Sequence, residues 1–399
     1  MVFRNGHCDY TGVSMIHQFG HHVESSKLAR RLDAVIDRAI AENRIVGTVV
    51  LVAEDGRCVY ERTAGWADRT RRTPIALNTI FRLASVTKPI LTAAAMRLTE
   101  TGHIHLNDPV TRWLPDFTPR LDDGSETEIL IRHLLSHTAG LSYRFLEPQG
   151  SPYHGLNISD GLDQPGLSVD ENLRRLASAP LSFRPGTVWR YSLALDVLGA
   201  ILASALGKGL PDVVSELVTR PLGMTDTGFA VSDPDRLATP YLNSVPVPKV
   251  LADGMAVPFG EGAVRFDPSR IFDPLSYPSG GAGMTGTATD VLTFLETIRT
   301  GGGGILQPDT VQAMTTDQVG PQAETQGPGW GFGFGWAVLS DPNLAVTPQS
   351  KGTIQWGGVY GHNWFVDPAR NLSVVAFTNT ALEGMCGAFP SQVRDAIYE

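Results

Sequence analysis

Residues 81–90 read FRLASVTKPI, and within them Ser85 stands three positions before Lys88. Of the five lysines in the chain, Lys88 alone has a serine at this spacing. The residues before Ser85 have strand character, and the segment LTAAAMRLTETG that follows has helical character. Residues three apart on a helix share a face, so the Ser85 hydroxyl and the Lys88 ammonium can meet. A helix N-terminus at this point would also stabilise an alkoxide or an oxyanion.

A polar helix start would produce the same pattern without any chemistry. Serine is a favoured N-cap residue, and Lys88 would then be a solvated surface charge. The Ser-x-x-Lys pattern at residues 85–88 is compatible with both interpretations, so other features of the sequence are needed to choose between them.

The composition indicates a globular chain of two lobes, or of one large domain with an insertion. The 399 residues are 42% hydrophobic and 18% charged, which is ordinary for a folded domain. The formal net charge of −9 argues against nucleic acid and against an anionic membrane as partners. No window of about 18 apolar residues predicts a membrane-spanning helix.

The N-terminus and the cysteines favour a cytoplasmic location. Residues 1–22 contain no apolar core of signal-peptide length. The three cysteines, Cys8, Cys58 and Cys386, are odd in number and show no Cys-x-x-Cys spacing. We therefore expect a reducing compartment, with residues 1–22 forming a poorly ordered arm.

Strand patterns at both ends of the chain predict an α+β fold with one antiparallel sheet built from both termini. Two β-rich runs after a predicted helix at 25–43 are joined at Glu54-Asp55-Gly56, a hairpin signature. Strand character returns after residue 330, and a helix closes the chain. We expect residues 23–95 and 276–399 to form an α/β domain flanked by helices, and residues 96–275 to form an all-helical insertion with long loops.

Several sequence blocks resemble one known family in the same order. They are HLLSHTAGL (133–141), LSFRPGTVWRYSLALDVLG (181–199), RPLGM (220–224), YPSGGAGMTGTATDV (277–291), GPGWGFGFGW (327–336) and QWGGVYGHNWFVD (355–367). Together with the Ser85 segment, they resemble the serine β-lactamase and D,D-peptidase fold, and specifically the family VIII carboxylesterases, relatives of class C β-lactamases. The resemblance runs from about residue 25 to the C-terminus. It implies an active site between an α/β lobe and a helical lobe.

The resemblance also assigns roles by motif. Ser85 is the implied nucleophile, and Lys88 and Tyr191 are the implied proton-transfer pair. A tyrosine is a weak base at its usual pKa of about 10, but a nearby cation stabilises the phenolate. The implied oxyanion hole consists of the backbone N–H groups of Ser85 and Val359. Tyr191 as an ordinary core tyrosine is the alternative.

Two positions depart from the β-lactamase pattern. The triplet Trp356-Gly357-Gly358 stands where those enzymes have Lys-Thr-Gly, and Leu193 stands where they have an asparagine that grips a substrate amide. A site without that cation and that amide suits a neutral, apolar ester better than a penicillin. Trp356, Gly357, Gly358 and Leu193 are therefore the expected substrate-binding residues.

The histidines and the C-terminal aromatic residues are less decisive. His133 and His137 fall on one predicted helical face, but no metalloprotease glutamate follows His133, so a packing or capping role is favoured over a metal site. His362 is also counted among the expected substrate-binding residues, with packing support behind the cleft as the alternative. The alternating aromatics Trp330, Phe332, Phe334 and Trp336 predict a strand packed on one face, and some of them can wall the acyl pocket.

The predicted function is that of a serine carboxylesterase that hydrolyses short-chain esters through an acyl-enzyme, without metal or organic cofactor. Its partner is a small-molecule ester. A β-lactamase or D-aminoacyl peptidase is the alternative, and a non-catalytic binding protein on the same fold is the second. No Gly-x-Ser-x-Gly segment supports an α/β-hydrolase.

Overall fold

A long β-hairpin forms the N-terminal part of the sheet. In the computed structural model, which describes residues 27–260 and 262–399, β1 (Gly47–Glu54) pairs antiparallel with β2 (Arg57–Asp68). Asp55 and Gly56 turn the chain with φ values of 51° and 77°, as a two-residue hairpin turn requires. The predicted hairpin is confirmed, whereas the predicted arm at 1–22 lies outside the described residues.

The C-terminal strands complete the same sheet. Its strand order is β10-β11-β12-β13-β14-β1-β2-β3, so strands from the two ends of the chain meet where β14 pairs with β1. The antiparallel sheet predicted from both termini is therefore confirmed. The remaining strands are β3 (Thr73–Pro74), β4 (Phe81–Arg82), β5 (Tyr241–Leu242), β6 (Lys249–Val250), β7 (Met255–Phe259), β8 (Gly262–Phe266), β9 (Thr285–Gly286), β10 (Trp330–Phe332), β11 (Ala337–Leu339), β12 (Ile354–Gly358), β13 (His362–Asp367), β14 (Leu372–Thr378) and β15 (Thr380–Ala381).

Helices cover the two faces of this sheet and fill the middle of the chain. They are α1 (Lys27–Ala41), α2 (Thr87–Glu100), α3 (Ile131–Leu135), α4 (Pro152–Gly155), α5 (Val169–Ala177), α6 (Ala194–Leu206), α7 (Leu210–Val214), α8 (Ala288–Arg299), α9 (Pro308–Thr315), α10 (Glu383–Cys386) and α11 (Ala388–Tyr398). Alternate residues of β1 point to opposite faces. Val50 and Val52 pack in one cluster with apolar residues of α1 and α11, while Val49 and Leu51 face the larger core that includes α2 and α8.

The region predicted as all-helical also contains strands, which corrects that expectation. β7 and β8 form a hairpin inside it, and β5 pairs in parallel with β15 from the C-terminal part of the chain. The segment MAVPF followed by GAVRF has short β-compatible runs on either side of a turn, and the length of the surrounding loops hid this pattern. The apolar helix predicted near 193–207 is present as α6, most of it buried.

Two further expectations change in detail. The aromatic run at 330–336 is a hairpin and not one strand: Trp330 lies opposite Leu339, and residues 333–336 make the turn. The short helix α3 ends at Leu135, so His137 is outside it and shares no helical face with His133.

Among the described residues, no single helix is both long and apolar enough to cross a membrane. One pair, Ala194–Leu206 with Leu210–Thr219, reaches the required length and composition together, but its two parts meet at 85°.

We expect Phe377 to be a principal stabilising residue of the core. Its side chain has no exposed surface on β14, and its ring packs against Phe81 at 5.8 Å and His362 at 4.4 Å. Phe377→Ala should cost about 3–5 kcal/mol of stability, which corresponds to a Tm lower by roughly 5 °C in a chain of this size. Phe377→Leu, which keeps most of the volume, should lose less than half as much. Equal Tm values for wild type and Phe377→Ala, measured by calorimetry, would contradict this assignment.

Candidate active site

Ser85 sits on a tight turn between β4 and α2. The residue before it, Ala84, is fully buried and has a φ of 46°. A left-handed backbone at a non-glycine residue costs of order 1–3 kcal/mol and persists only where the surroundings impose it. Here the surroundings include the Leu83 N–H, which donates to the Met284 carbonyl at 2.9 Å. Ser85 itself caps no helix, because the N-cap position of α2 is Val86.

Two side chains converge on the Ser85 hydroxyl group. The Tyr191 hydroxyl donates to Ser85 Oγ at 2.6 Å, and Lys88 Nζ donates to the same oxygen at 3.0 Å. Lys88 Nζ also lies 4.7 Å from the centre of the Tyr191 ring, within the range of a cation–π contact. The structure therefore brings together the three residues that the sequence motifs predict for the chemistry.

Lys88 is buried completely, so its charge needs polar partners inside the protein. Besides Ser85, Nζ donates to the carbonyl of Gly281 at 2.7 Å. A Cβ on Gly281 would lie 2.6 Å from Asp196 Oδ2 and 3.5 Å from Lys88 Nζ, so only glycine fits there. Burial raises the pKa of Asp196 to about 6, although Ser279 and the nearby Lys88 charge act in the opposite direction.

Aromatic rings surround the phenol of Tyr191. The ring centres of Tyr143, His137 and Trp356 lie 4.9, 5.0 and 5.2 Å from that of Tyr191. The sequence motifs do not single out Tyr143. It lies six residues after His137, within the stretch that continues the HLLSHTAGL block, and that proximity is the signal that could have found it.

The C-terminal half of β12 offers a free edge beside Ser85. β11 pairs with β12 only at Ile354 and Gln355, so none of the described strands lies beside Trp356–Gly358 on that side. A Cβ on Gly358 would lie 2.3 Å from the carbonyl oxygen of Leu83. This strand therefore passes very close to the turn at residues 83–86 that carries Ser85, called the nucleophile turn below. Val359, the next residue, lines the same cavity as Ser85.

A cavity of about 440 Å³ opens in front of Ser85. Its walls combine predicted residues with residues that the sequence did not reveal. The predicted ones are Ser85, Tyr191, Trp356, Gly357 and Val359; the others include Tyr143, Phe145, Asp160, Trp189, Arg190, Phe259 and Met385. Met385 comes from α10, and its Cγ would lie 2.9 Å from a Cβ on Gly357. No local sequence signal connects α10 with β12, because their approach depends on the folded sheet.

The charged groups of this cavity are largely neutralised. Arg190 pairs with Glu147 at 2.9 Å. Burial raises the pKa of Asp160 to about 7, against the opposing effect of the Arg144 guanidinium. The carboxyl group of Asp160 also accepts hydrogen bonds from the backbone N–H groups of Arg144 and Phe145, so both Arg190 and Asp160 have partners within the protein.

Three expected substrate-binding residues lie away from the cavity wall, which corrects their assignment. Leu193 has no exposed surface and packs in the core at the start of the apolar helix α6, so it does not line the cavity. His362 is also buried; its Nε2–H donates to the Arg82 carbonyl at 2.8 Å, and its ring packs on Phe81 at 5.5 Å. Of the two placements considered for His362, the structure shows support behind the nucleophile strand. Gly358 contacts the nucleophile turn instead of the cavity.

The other histidines form no metal-binding group in the described part of the chain, where no cluster of three metal-ligating side chains occurs. His133 Nδ1 accepts the Leu130 N–H at 3.1 Å at the start of α3, which is a capping role. Burial, with the neighbouring Arg132 charge, lowers the pKa of His133 to about 4.

Comparison with known proteins agrees with this architecture. The Beta-lactamase family model matches residues 32–394. Esterase EstB of Burkholderia gladioli is 55% identical over 380 residues, covering 94% of this chain and 96% of that protein. The structure of EstCE1, described as a hydrolase with promiscuous acyltransferase activity, superposes with a TM-score of 0.92 at 53% identity, covering 94% of this chain and 99% of that one.

A more distant structure shows the same fold. Unliganded simvastatin synthase from Aspergillus terreus, a selenomethionyl derivative, is 26% identical with a TM-score of 0.73, covering 94% of this chain and 98% of that one. The extent of these matches and the sequence of motifs lead to one conclusion. The chain belongs to the beta-lactamase family and, within the serine β-lactamase superfamily, stands with the family VIII carboxylesterases.

Proposed function

We propose that this protein is a serine carboxylesterase that hydrolyses neutral esters with short acyl chains through an acyl-enzyme. One observation carries the proposal: Ser85 Oγ, at the wall of a largely apolar cavity, lies within hydrogen-bond distance of both Tyr191 Oη and Lys88 Nζ. A nucleophile with an adjacent base and a nearby cation is the arrangement that acyl transfer needs. The names of EstB and EstCE1, an esterase and a hydrolase, agree with it.

The chemistry follows from this arrangement. Tyr191, as a phenolate stabilised by the Lys88 charge, takes the proton of Ser85 Oγ as that oxygen attacks the ester carbonyl. The N–H groups of Ser85 and Val359 receive the developing oxyanion. The C–O bond to the alcohol then breaks, and Tyr191 returns the proton to the leaving alkoxide.

Deacylation reverses the roles with water in place of the alcohol. Water attacks the acyl carbonyl and gives its proton to Tyr191, and the carboxylic acid leaves as Ser85 Oγ regains that proton. Lys88, held by the Gly281 carbonyl, keeps its charge beside the phenol through both steps. The substrate is a small-molecule ester, and the free thiols of Cys58 and Cys386 support the proposal of a cytoplasmic location.

The position of Trp356 favours neutral esters over β-lactams as substrates. Its indole lies in the cavity where a β-lactamase has a lysine, and the one arginine lining the cavity is paired with Glu147. No unpaired cation among the described cavity residues therefore faces a substrate carboxylate. The expected contribution of Leu193 does not apply, because that side chain is buried away from the cavity.

Ser85→Ala should abolish ester turnover and covalent labelling by a fluorophosphonate, since among the described residues no other hydroxyl group is hydrogen-bonded to both Lys88 and Tyr191. Hydrolysis of p-nitrophenyl butyrate and intact-mass analysis measure the two effects. Ser182→Ala, at an exposed serine, is the matched control and should label fully. Full labelling of Ser85→Ala would remove Ser85 from the mechanism.

Tyr191→Phe removes one hydroxyl and little volume, so the protein should fold while kcat falls by about 10²-fold or more. Tyr143→Phe is the matched control, because this neighbouring buried tyrosine makes no hydrogen bond to Ser85; its loss should stay below about 10-fold. A near-normal kcat for Tyr191→Phe would make Tyr191 a packing residue and Lys88 the base.

The ratio of kcat/KM for benzylpenicillin to kcat/KM for p-nitrophenyl butyrate should be far below one in the wild type. Trp356→Lys should raise this ratio by supplying a cation for the carboxylate, whereas Trp356→Ala opens the same space without one and serves as the control. A wild-type ratio near or above one would favour the β-lactamase alternative. Absence of turnover for both substrates would favour the non-catalytic one.

A further inference from the structure

The second histidine of the HLLSHTAGL block lies directly behind Tyr191. His137 has no exposed surface and is absent from the walls of the cavity. It therefore contacts no substrate in the proposed reaction, and the mechanism above gives it no role.

His137 contacts three consecutive residues centred on Tyr191. Its backbone carbonyl accepts the Arg190 N–H at 2.8 Å, and its Nδ1 lies 3.3 Å from Ser192 Oγ. Between these two contacts, the imidazole ring packs against the Tyr191 ring with centres 5.0 Å apart and planes at 57°. One residue thus holds the backbone before Tyr191, the ring of Tyr191 and the side chain after it.

This arrangement has a structural cost. His137 adopts a left-handed backbone with a φ of 54°, and its buried Nε2 has no hydrogen-bond partner within residues 27–260 and 262–399. Each of these features is unfavourable by about 1 kcal/mol or more. Costs of this kind persist where a precise geometry is needed, as at active sites.

The imidazole of His137 is also held in its neutral form. Burial, reinforced by the nearby Lys88 charge, holds the pKa of His137 well below its usual range. A neutral ring can pack against the phenol without competing with Lys88 for the negative charge that Tyr191 acquires.

We infer that His137 is a positioning residue for Tyr191, holding the phenolic oxygen at its 2.6 Å distance from Ser85 Oγ. The inference rests on the proposed function, in which this oxygen carries the proton. Proton transfer requires reach of about 2.6–3.2 Å, and a misplacement of about 1 Å can cost roughly 10²-fold in rate. Tyr143 and Trp356 also touch the phenol but line the cavity, so of these three rings His137 is the one that packs on the side away from the substrate.

Two substitutions separate positioning from simple packing. His137→Ala removes the ring and the Ser192 contact and should lower kcat for p-nitrophenyl butyrate by about 10- to 100-fold, with KM within about 2-fold of wild type. His137→Asn should recover most of that loss, because asparagine tolerates a left-handed backbone and its amide can bond Ser192 Oγ.

The other histidine of the block provides the matched control. His133 bonds the Leu130 N–H and makes none of the contacts to residues 190–192, so His133→Ala should lower Tm slightly and leave kcat unchanged. A kcat for His137→Ala equal to wild type, or losses of kcat that are the same for the alanine and asparagine variants, would overturn the inference.

If His137→Ala does not fold, Ser192→Ala is used to test the inference instead. It removes the partner of Nδ1 and should lower kcat by about 3- to 10-fold at constant KM; an unchanged kcat overturns the inference. Wild-type turnover is measured first, because an inactive wild type contradicts the proposed esterase function itself. An active wild type with an unaffected His137→Ala contradicts only the positioning role.

Discussion

A lysine ammonium without exposed surface lies where the start of α2, the approach to α6 and the loop around Gly281 meet. Removing such a charge from water costs several kcal/mol unless polar groups replace the lost hydration. Lys88 finds its replacements in Ser85 Oγ, the Gly281 carbonyl and the faces of two tyrosine rings. Because these partners come from segments almost 200 residues apart in the chain, the fold has to bring them together before the charge can be buried. The same contacts that make the burial tolerable also place a cation beside the proposed nucleophile, Ser85, and its proposed base, Tyr191.

The sheet holds the other side of the site. The Nε2–H of His362 on β13 bonds the Arg82 carbonyl, and Gly358 at the end of β12 passes against the Leu83 carbonyl. These contacts join the nucleophile turn to the strand whose free edge faces the cavity. Ser85 is therefore positioned relative to Val359 by the packing of the C-terminal strands, while α2 fixes its distance to Lys88. The oxyanion hole that we propose depends on both.

Both the charge and the shape of the cavity contribute to the selectivity that we propose. Arg190 is engaged by Glu147, burial raises the pKa of Asp160 to about 7, and Trp356 occupies the position of a cationic residue in β-lactamases. A carboxylated ligand that enters the cavity would lose the hydration of its charge and meet no unpaired cation among the described residues. A neutral ester loses little hydration energy on entry. Discrimination is a difference between two affinities; in the interpretation that we propose, the absence of an unpaired cation among the described cavity residues disfavours anionic ligands, and the apolar walls favour neutral esters.

The sequence by itself determined the local features. The Ser85–Lys88 pair depends only on a three-residue spacing, and the β1–β2 hairpin depends on its turn residues. The buried helix α6 depends on continuous apolar character. Its motifs also pointed to Tyr191, whose hydroxyl the structure places beside Ser85. Only the tertiary structure decided where side chains face and which distant segments meet. The Leu193 side chain packs in the core, and the Met385 side chain contacts Gly357. His137 lies outside α3 and packs behind Tyr191. Spacing along a chain specifies neighbours within one helix or hairpin, whereas these contacts depend on how whole elements pack against one another.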